Sequence, residues 1–199
     1  MKSAGKSAGK SVWATTAIAA VLLGVGVAGV QAVAAPTPAA GEVQVPARAD
    51  NFQLTDHNRM FQELYYYKAA PAVVVMTQAN GSKVSQAAAK EFQKLADAYK
   101  AKGVVFLMMN SEAGVTREKV GAEMKKLGLT VPVMVDELQL VGANLGVKRE
   151  AEVFVFDTKT WNVAYHGPLD DRFAKASVNA SAAAKTRFAA DAVAALIAG

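Results

Sequence analysis

The sequence PAVVVMTQANGSKVSQ, residues 71–86, decides the fold of this chain of 199 residues. Its first half contains a short apolar, β-branched run at residues 72–76, directly after a proline, which is typical of a buried strand. Its second half leads into a segment where Ala88, Phe92 and Leu95 recur at helical spacing among charged residues, and this pattern predicts an amphipathic helix. A strand followed directly by a helix is the repeating unit of an α/β fold.

The same alternation continues along the chain. Buried strands are predicted at residues 104–109 and 131–135, with a helix beginning near Thr116 between them and a short helix ending at Gly146 after them. The remaining predicted elements are a small strand at residues 52–54, a hairpin of residues 153–156 and 163–165, and a last helix over residues 182–198. This order predicts an α/β sandwich around a central mixed sheet.

The composition restricts the chemistry of the chain. It contains no cysteine, which excludes disulfides, thiolate metal sites and thiol nucleophiles within this sequence. The formal net charge is +5, but Lys2, Lys6 and Lys10 lie at the extreme N-terminus and the rest is close to neutral. We therefore expect no binding of nucleic acid, which requires clustered Lys and Arg.

The N-terminal region is predicted to direct the chain to a membrane. Residues 12–35 form an apolar run without a charged residue, long enough for a spanning helix, which needs about 20 residues. Ala32-Val33-Ala34 also resembles a signal-peptide cleavage site. Residues 1–35 are thus predicted as a signal anchor or a signal peptide, residues 36–49 as a Pro/Ala-rich tether, and residues 50–199 as the folded domain.

Six segments of this domain occur in a characteristic order, and they are residues 50–56, 104–111, 131–136, 139–141, 145–147 and 152–157. Together they resemble the redoxin family, which comprises thioredoxin-fold proteins related to the peroxiredoxins and thiol-disulfide oxidoreductases of the bacterial envelope. Residues 165–173 are similar to the Gly-Pro-x-Asp-Asp-Arg signature of one exported redoxin subgroup. The resemblance implies a thioredoxin-like sandwich with a central mixed sheet and a C-terminal helix, preceded by the membrane-directed helix.

The resemblance also locates the site. The family's reactive cysteine lies at the start of the long helix, where the helix dipole and free N–H groups stabilise a thiolate. Ser82 stands at that position, and Ser85 completes what would be a Cys-x-x-Cys spacing. Ala151 stands where the family has a cis-proline, and because a cis bond without proline costs about 2.5 to 4 kcal/mol, we expect a trans bond there. Thr77, Asn80, Ser82, Ser85 and Ala151 are therefore interpreted as a degenerate site without catalytic residues.

Ser82 is better explained as a helix N-cap than as a nucleophile, since it lies outside any recognisable triad. His57 and His166 are weak candidates for copper ligands, but histidines in turns are common, and we predict no metal and no cofactor.

In the run Tyr65-Tyr66-Tyr67, one or two rings are expected to pack under the sheet, and an outward ring would be a candidate contact for a protein partner.

These observations predict a catalytically inactive redoxin-like domain rather than an enzyme. It would serve as a membrane-tethered accessory subunit of an envelope complex, respiratory or oxidoreductase, through protein partners and a membrane segment at residues 12–35. The domain would lie in the periplasm, either anchored in the bacterial cytoplasmic membrane or soluble after cleavage near Ala34. The alternative is a periplasmic carrier of copper or a small ligand in the vacated pocket around Thr77, Asn80, Ser82 and His166.

Overall fold

The apolar runs of the sequence pair into one mixed sheet. The computed structural model describes residues 45–174 and 182–199. Within them the strands are β1 (Gln53–Thr55), β2 (Phe61–Glu63), β3 (Val73–Thr77), β4 (Val105–Asn110), β5 (Val133–Val135), β6 (Glu152–Phe156) and β7 (Val163–Pro168). The central sheet has the order β5-β4-β3-β6-β7, and β1 pairs with β2 in a separate hairpin. Strands β3, β4 and β5 are parallel to one another, whereas β6 pairs antiparallel with β3 and β7 pairs antiparallel with β6, which confirms the predicted mixed sheet.

Helices connect the strands and follow the last of them. In the same residues they are α1 (Lys83–Tyr99), α2 (Arg117–Leu127), α3 (Leu140–Leu145) and α4 (Phe188–Ala198). Ser82 caps α1 and Thr116 caps α2, each accepting a backbone N–H three residues further on. Gly128 ends α2 with a φ of 67°, a left-handed conformation that glycine adopts without strain.

Apolar side chains cover both faces of the sheet. On one face, Val74 and Met76 of β3 pack beneath α1, α2 and α4. On the other face, Val75 of β3 and Met109 of β4 pack with α3 and the β1-β2 hairpin. Because side chains alternate along a strand, Thr77 points to the α3 face together with Val75. The two faces are called the α1 face and the α3 face below.

Residues from the start of the domain cover both edges of the central sheet. At the β5 edge, the N–H of His57 donates to the carbonyl of Val133 at 3.0 Å, and the N–H of Val133 donates to His57 Nδ1 at 3.1 Å. At the β7 edge, the N–H of Ala49 donates to the carbonyl of Trp161 at 2.9 Å. Ala49 is fully buried, so the folded part begins before Asp50, where the sequence pattern had placed its boundary.

The Asp-Asp-Arg signature after β7 contributes to an ion-pair cluster of Asp170, Arg172 and Glu91, called the clasp below. Nη2 of Arg172 lies 2.6 Å from Oδ2 of Asp170 and 3.1 Å from Oε2 of Glu91 on α1. Hydrogen bonding to Asp170, followed by that to Glu91, raises the pKa of Arg172 above its ordinary value. A hydrogen bond from Lys94, followed by one from Arg172, lowers the pKa of Glu91 despite its partial burial. The clasp thus ties the end of β7 to α1.

The second aspartate of the signature determines where the last helix begins. Oδ1 of Asp171 accepts the N–H groups of Lys185 and Thr186 at 2.9 and 3.1 Å. The N–H of Asp171 in turn donates to the carbonyl of Thr186 at 3.1 Å. Because these bonds hold residues 185–186 outside a helix, α4 begins only at Phe188, later than the apolar pattern alone suggested.

The predictions for residues 12–35, and for the tether up to residue 44, fall outside the described residues. Among the residues that the structure does describe, no helix combines the length and the hydropathy that crossing a membrane requires.

Candidate functional site

The end of the β3-α1 loop and the first turn of α1 contain the two serines that stand where the resemblance places cysteines. Oγ of Ser82 accepts the N–H of Ser85 at 3.3 Å and caps the helix. Ser85 is fully buried, and its Oγ accepts the N–H of Ala79 at 3.0 Å. The structure therefore brings Ser82 and Ser85 together at the start of α1, as predicted. Both hydroxyl oxygens accept hydrogen bonds from the backbone of the loop and the first helical turn.

Two carboxylates bind the N–H groups of the same loop. Oε2 of Glu112, just after β4, accepts the N–H of Asn80 at 2.6 Å. Oε2 of Glu123 on α2 accepts the N–H of Gly81 at 2.7 Å. Negative charge beside a thiol or hydroxyl disfavours its ionised form. The charges next to position 82 thus oppose the helix dipole that would stabilise an anion there.

Glu112 and Glu123 were not predicted from the sequence. The signal for Glu112 is topological: β3 and β4 are parallel, so the residues that follow them meet at one edge of the sheet. Asn110, buried at the end of β4, holds the residues after the two strands together. Its Nδ2 donates to Oε1 of Gln78 at 2.9 Å and to Oε2 of Glu112 at 3.0 Å. Glu123 reaches the loop from α2, and nothing in its local sequence indicates that contact.

Ala151 lies against the end of β3, opposite this loop. Its N–H donates to the carbonyl of Thr77 at 2.9 Å, and its φ is +59°, in the left-handed region. Oγ1 of Thr77 donates to the carbonyl of Arg149 at 2.8 Å and accepts the N–H of Glu152 at 2.9 Å. Thr77 and Ala151 are thus brought together, and the buried threonine pins the segment that precedes β6.

A cavity of about 360 Å³ opens at this edge of the sheet. Its walls come from the ends of β3 and β4, from α3, and from residues 147–150 before β6. Thr77 lines it, whereas Asn80 lines a different, shallow groove between α1 and α2. Neither lining includes Ser82, so Thr77, Asn80 and Ser82, which were expected to share one vacated pocket, do not share either of these two cavities.

The two histidines lie at opposite edges of the five-stranded sheet. His57 lies beyond the outer edge of β5 and His166 lies on β7, so they are at least four strand spacings, or about 19 Å, apart. Nδ1 of His57 already accepts a backbone N–H. Within the described ranges, no group of three or more His, Cys, Asp and Glu side chains is arranged to hold a metal ion. The structure therefore does not bring the two weak copper candidates together.

His166 is also separated from the serines by the sheet. It is the cross-strand partner of Phe154 and stacks on its ring at 4.5 Å, which places it on the α3 face. Its Nε2 lies 3.7 Å from Oε1 of the buried Glu152. Ser82 begins α1, which covers the other face. A carrier site that uses both His166 and Ser82 is therefore wrong, because they lie on opposite faces of the sheet.

Comparison with known proteins identifies the family of this domain. Residues 45–166, more than half of the chain, match the AhpC/TSA family. The chain belongs to the AhpC/TSA family. No curated protein matches the sequence significantly.

Solved structures similar to this AhpC/TSA domain share its fold. An uncharacterized conserved protein from Geobacillus kaustophilus is 25% identical, with a TM-score of 0.67, over 80% of this chain and 85% of that one. The peroxidoxin BcpB from Mycobacterium tuberculosis is 20% identical, with a TM-score of 0.58, over 76% and 94%. A thiol:disulfide interchange protein of the thioredoxin family from Chlorobium tepidum is 18% identical, with a TM-score of 0.57, over 77% and 98%. The fold is thus thioredoxin-like, as the sequence predicted.

The tyrosine run of this AhpC/TSA domain divides as expected. Tyr65 stacks on Trp161 with a centroid distance of 4.4 Å, and its hydroxyl donates to the carbonyl of Ala49 at 2.9 Å. The hydroxyl of Tyr67 donates to Gln62. Tyr66 is 79% exposed and contacts only its neighbour Tyr67 by ring geometry among the described residues. Two rings therefore pack on the domain, and the third faces outward.

Proposed function

We propose that this chain is a catalytically inactive member of the AhpC/TSA family that acts as an accessory, protein-binding subunit of a bacterial envelope complex, such as a respiratory or oxidoreductase assembly. Residues 12–35 would hold it in the cytoplasmic membrane with the domain in the periplasm. If that segment is cleaved near Ala34, the domain would instead be a soluble periplasmic subunit.

One observation carries the proposal. At the position of the family's reactive thiol, Ser82 caps α1, and the neighbouring N–H groups of Asn80 and Gly81 are bound by Glu112 and Glu123. A serine hydroxyl forms neither a disulfide nor a sulfenic acid, and adjacent carboxylates disfavour its ionisation further. The residues of the former site thus stabilise the loop, which supports a role for the domain as a scaffold rather than as a redox catalyst.

The surface supports protein binding. Met60, Phe61 and Tyr66 are 62%, 72% and 79% exposed, and all three come from β2 and the turns on either side of it. Exposed aromatic residues and methionine are enriched at protein interfaces. This segment lies at the end of the domain's first hairpin, where a partner could contact it without disturbing the central sheet.

The test is site-specific photo-crosslinking of the full chain in its native membranes. A photoreactive phenylalanine at position 66 is expected to yield one discrete adduct, identified by mass spectrometry and recovered in stoichiometric amount in mild detergent. The same residue at position 125, an exposed lysine on α2, is the matched control and should not give that adduct. Peroxide-reduction and insulin-reduction assays of the same preparation should show no turnover.

Two results would overturn the proposal. The first is a monomeric chain in mild detergent that gives no adduct from position 66. The second is turnover in either reduction assay that persists after affinity purification under denaturing conditions and refolding.

A further inference from the structure

The first hairpin of the domain has an open strand edge. Strand β2 pairs with β1, and no other strand pairs with it within residues 45–174 and 182–199. On the other side of the hairpin, Asp56, just after β1, bridges to Met134 of β5. The open edge is therefore that of β2, and such an edge offers backbone donors and acceptors to a further strand.

The hydrogen bonds of the hairpin determine which backbone groups of β2 face outward. The N–H of Asp56 donates to the carbonyl of Met60 at 2.9 Å, so the backbone of Met60 points towards β1. Because this direction alternates along an antiparallel strand, Gln62 also points towards β1, whereas Phe61 and Glu63 point away. In the described part of the chain, the N–H and C=O groups of Phe61 and Glu63 have no hydrogen-bond partner.

The side chains of β2 leave this edge accessible. Phe61 is 72% exposed and Glu63 is half-buried, and both lie on the face opposite to that of the buried Gln62. Edge strands that must stay unpaired usually carry lysine, proline or a bulge. Strand β2, with the sequence Phe-Gln-Glu, contains neither residue and pairs with β1 without a bulge. The edge is therefore suited to pairing.

We propose that β2 pairs antiparallel with β2 of a second copy of this chain, about a two-fold axis through Gln62. In this register Phe61 of each copy lies opposite Glu63 of the other. The two opposed pairs exchange four backbone hydrogen bonds, which satisfy every outward group of both strands. The inference rests on the protein-binding role proposed above for this hairpin, and it names a second copy as the protein that pairs with β2.

The edge is self-complementary, which favours a second copy over an unrelated segment. Its outward groups lie symmetrically on either side of Gln62, so a two-fold axis there leaves none of them unpaired. The two Phe61 rings lie diagonally across the pair, about 7 to 8 Å apart at the backbone, a distance that aromatic side chains span. The Glu63 carboxylates occupy the other diagonal, and Nδ2 of Asn51 binds each within its own copy at 2.8 Å. No like charges are directly opposite each other.

The absence of cysteine from the chain makes this register measurable. The full chain is purified in mild detergent as two differently tagged variants, Phe61→Cys and Glu63→Cys, which are mixed under a mild oxidant. Directly opposed residues of this kind lie about 5.5 Å apart between Cα atoms, within the range for a disulfide. We expect a mixed-tag disulfide dimer that forms at least five-fold faster than the disulfide dimer of either variant alone. Phe61→Cys mixed with Lys125→Cys, on the exposed side of α2, is the matched control and should show no such preference.

A charge pair tests the same register without a covalent link. Phe61→Glu places a carboxylate opposite Glu63 of the other copy and should weaken dimerisation at least ten-fold, measured by analytical ultracentrifugation of the full chain in mild detergent. Adding Glu63→Lys opposes unlike charges and should restore the dimer. Because Phe61 is exposed, both variants should keep the wild-type melting midpoint. Lys125→Glu is the control and should dimerise as the wild type does.

Three results would overturn the pairing. They are a wild-type chain that stays monomeric at every concentration reached, a single-cysteine variant that crosslinks to itself as fast as the mixture does, and a failure of Glu63→Lys to restore dimerisation in Phe61→Glu.

The photo-crosslinking experiment separates this proposal from the accessory function, since Tyr66 lies outside the paired residues. If the position-66 adduct contains another protein and no mixed-tag disulfide forms, the pairing is wrong and the accessory function stands. If the mixed-tag disulfide forms but the dimer copurifies with no other protein, the pairing stands and the accessory function is wrong. If the disulfide forms and another protein is found in the adduct, both proposals are supported.

Discussion

The backbone N–H of Ala151 donates to the carbonyl oxygen of Thr77 at 2.9 Å, with Ala151 held at a φ of +59°. Proline lacks this donor and fixes φ near −65°. Replacing Ala151 with the family's proline would therefore break this hydrogen bond and require a different backbone conformation. The resemblance alone does not indicate this cost. The segment before β6 therefore requires a residue with a backbone N–H at position 151.

We expect Ala151→Pro to lower the free energy of unfolding by about 3 kcal/mol, because it removes a buried hydrogen bond and imposes an incompatible φ. Urea denaturation followed by circular dichroism measures the change. Ala151→Gly is the control: glycine keeps the N–H and tolerates the positive φ, so its stability should stay within about 1 kcal/mol of the wild type. A proline variant as stable as the glycine variant would contradict the Thr77–Ala151 contact.

A cysteine introduced at position 82 should have an unactivated thiol. Glu112 and Glu123 bind the N–H groups of Asn80 and Gly81, so Ser82→Cys should titrate at or above the ordinary thiol pKa of about 8.5. Adding Glu123→Gln should lower that thiol pKa and raise the alkylation rate at pH 7 several-fold. The rate of iodoacetamide alkylation against pH measures both, with Glu118→Gln on the exposed side of α2 as the control. A thiol pKa near 6 in the single cysteine variant would be inconsistent with this account.

Cysteines at both serine positions should form an internal disulfide. Ser82 and Ser85 lie one turn apart and are joined by the bond from the Ser85 N–H to Ser82 Oγ at 3.3 Å. The variant Ser82→Cys/Ser85→Cys is expected to lose two hydrogens on oxidation, seen by mass spectrometry, and to reduce insulin poorly. Adding Ala151→Pro should not improve turnover, because it disturbs the wall opposite the disulfide. A folded variant that stays reduced under mild oxidant would show that this loop does not correspond to the family's active site.

Acid should destabilise the domain through the clasp. A hydrogen bond from Lys94, followed by one from Arg172, lowers the folded-state pKa of Glu91 below its ordinary value of 4.5. The stabilisation is therefore fully present above about pH 4.5 and is lost as the pH falls through the lower folded value. Glu91→Gln should flatten the dependence of unfolding free energy on pH as the pH falls below about 4.5. Glu137→Gln, an exposed substitution, should keep the wild-type slope.

Apolar runs and caps made most of the fold predictable. The run at residues 72–76 becomes β3 shifted by one residue, and Thr116 caps α2 as expected. Strand β2 was not predicted, because Phe61 is exposed and the strand is held by pairing with β1 rather than by burial. Pairing between short, partly exposed strands leaves little pattern in a single sequence.

The sequence predicted the candidate site only where a local backbone motif, such as a helix cap, determines the position of a residue. Ser82 was placed correctly because a serine before a helix has a local signature. Glu123 reaches the same loop from α2, and Glu112 reaches it from the end of β4. Both contacts arise from tertiary packing, which residue type and spacing do not encode.

The contacts at the two sheet edges also constrain the order in which the domain can be completed. His57 binds Val133 across 76 positions of the sequence, and Arg48 binds the carbonyl of Thr160 across 112. A chain synthesised from its N-terminus therefore produces these edge-covering residues first and their partner strands much later. Until residues near Thr160 have emerged, β3 and β4 can pair while the sheet still has open edges, and open edges recruit other chains. Nascent chains shorter than about 160 residues should thus be the form most dependent on a holding chaperone.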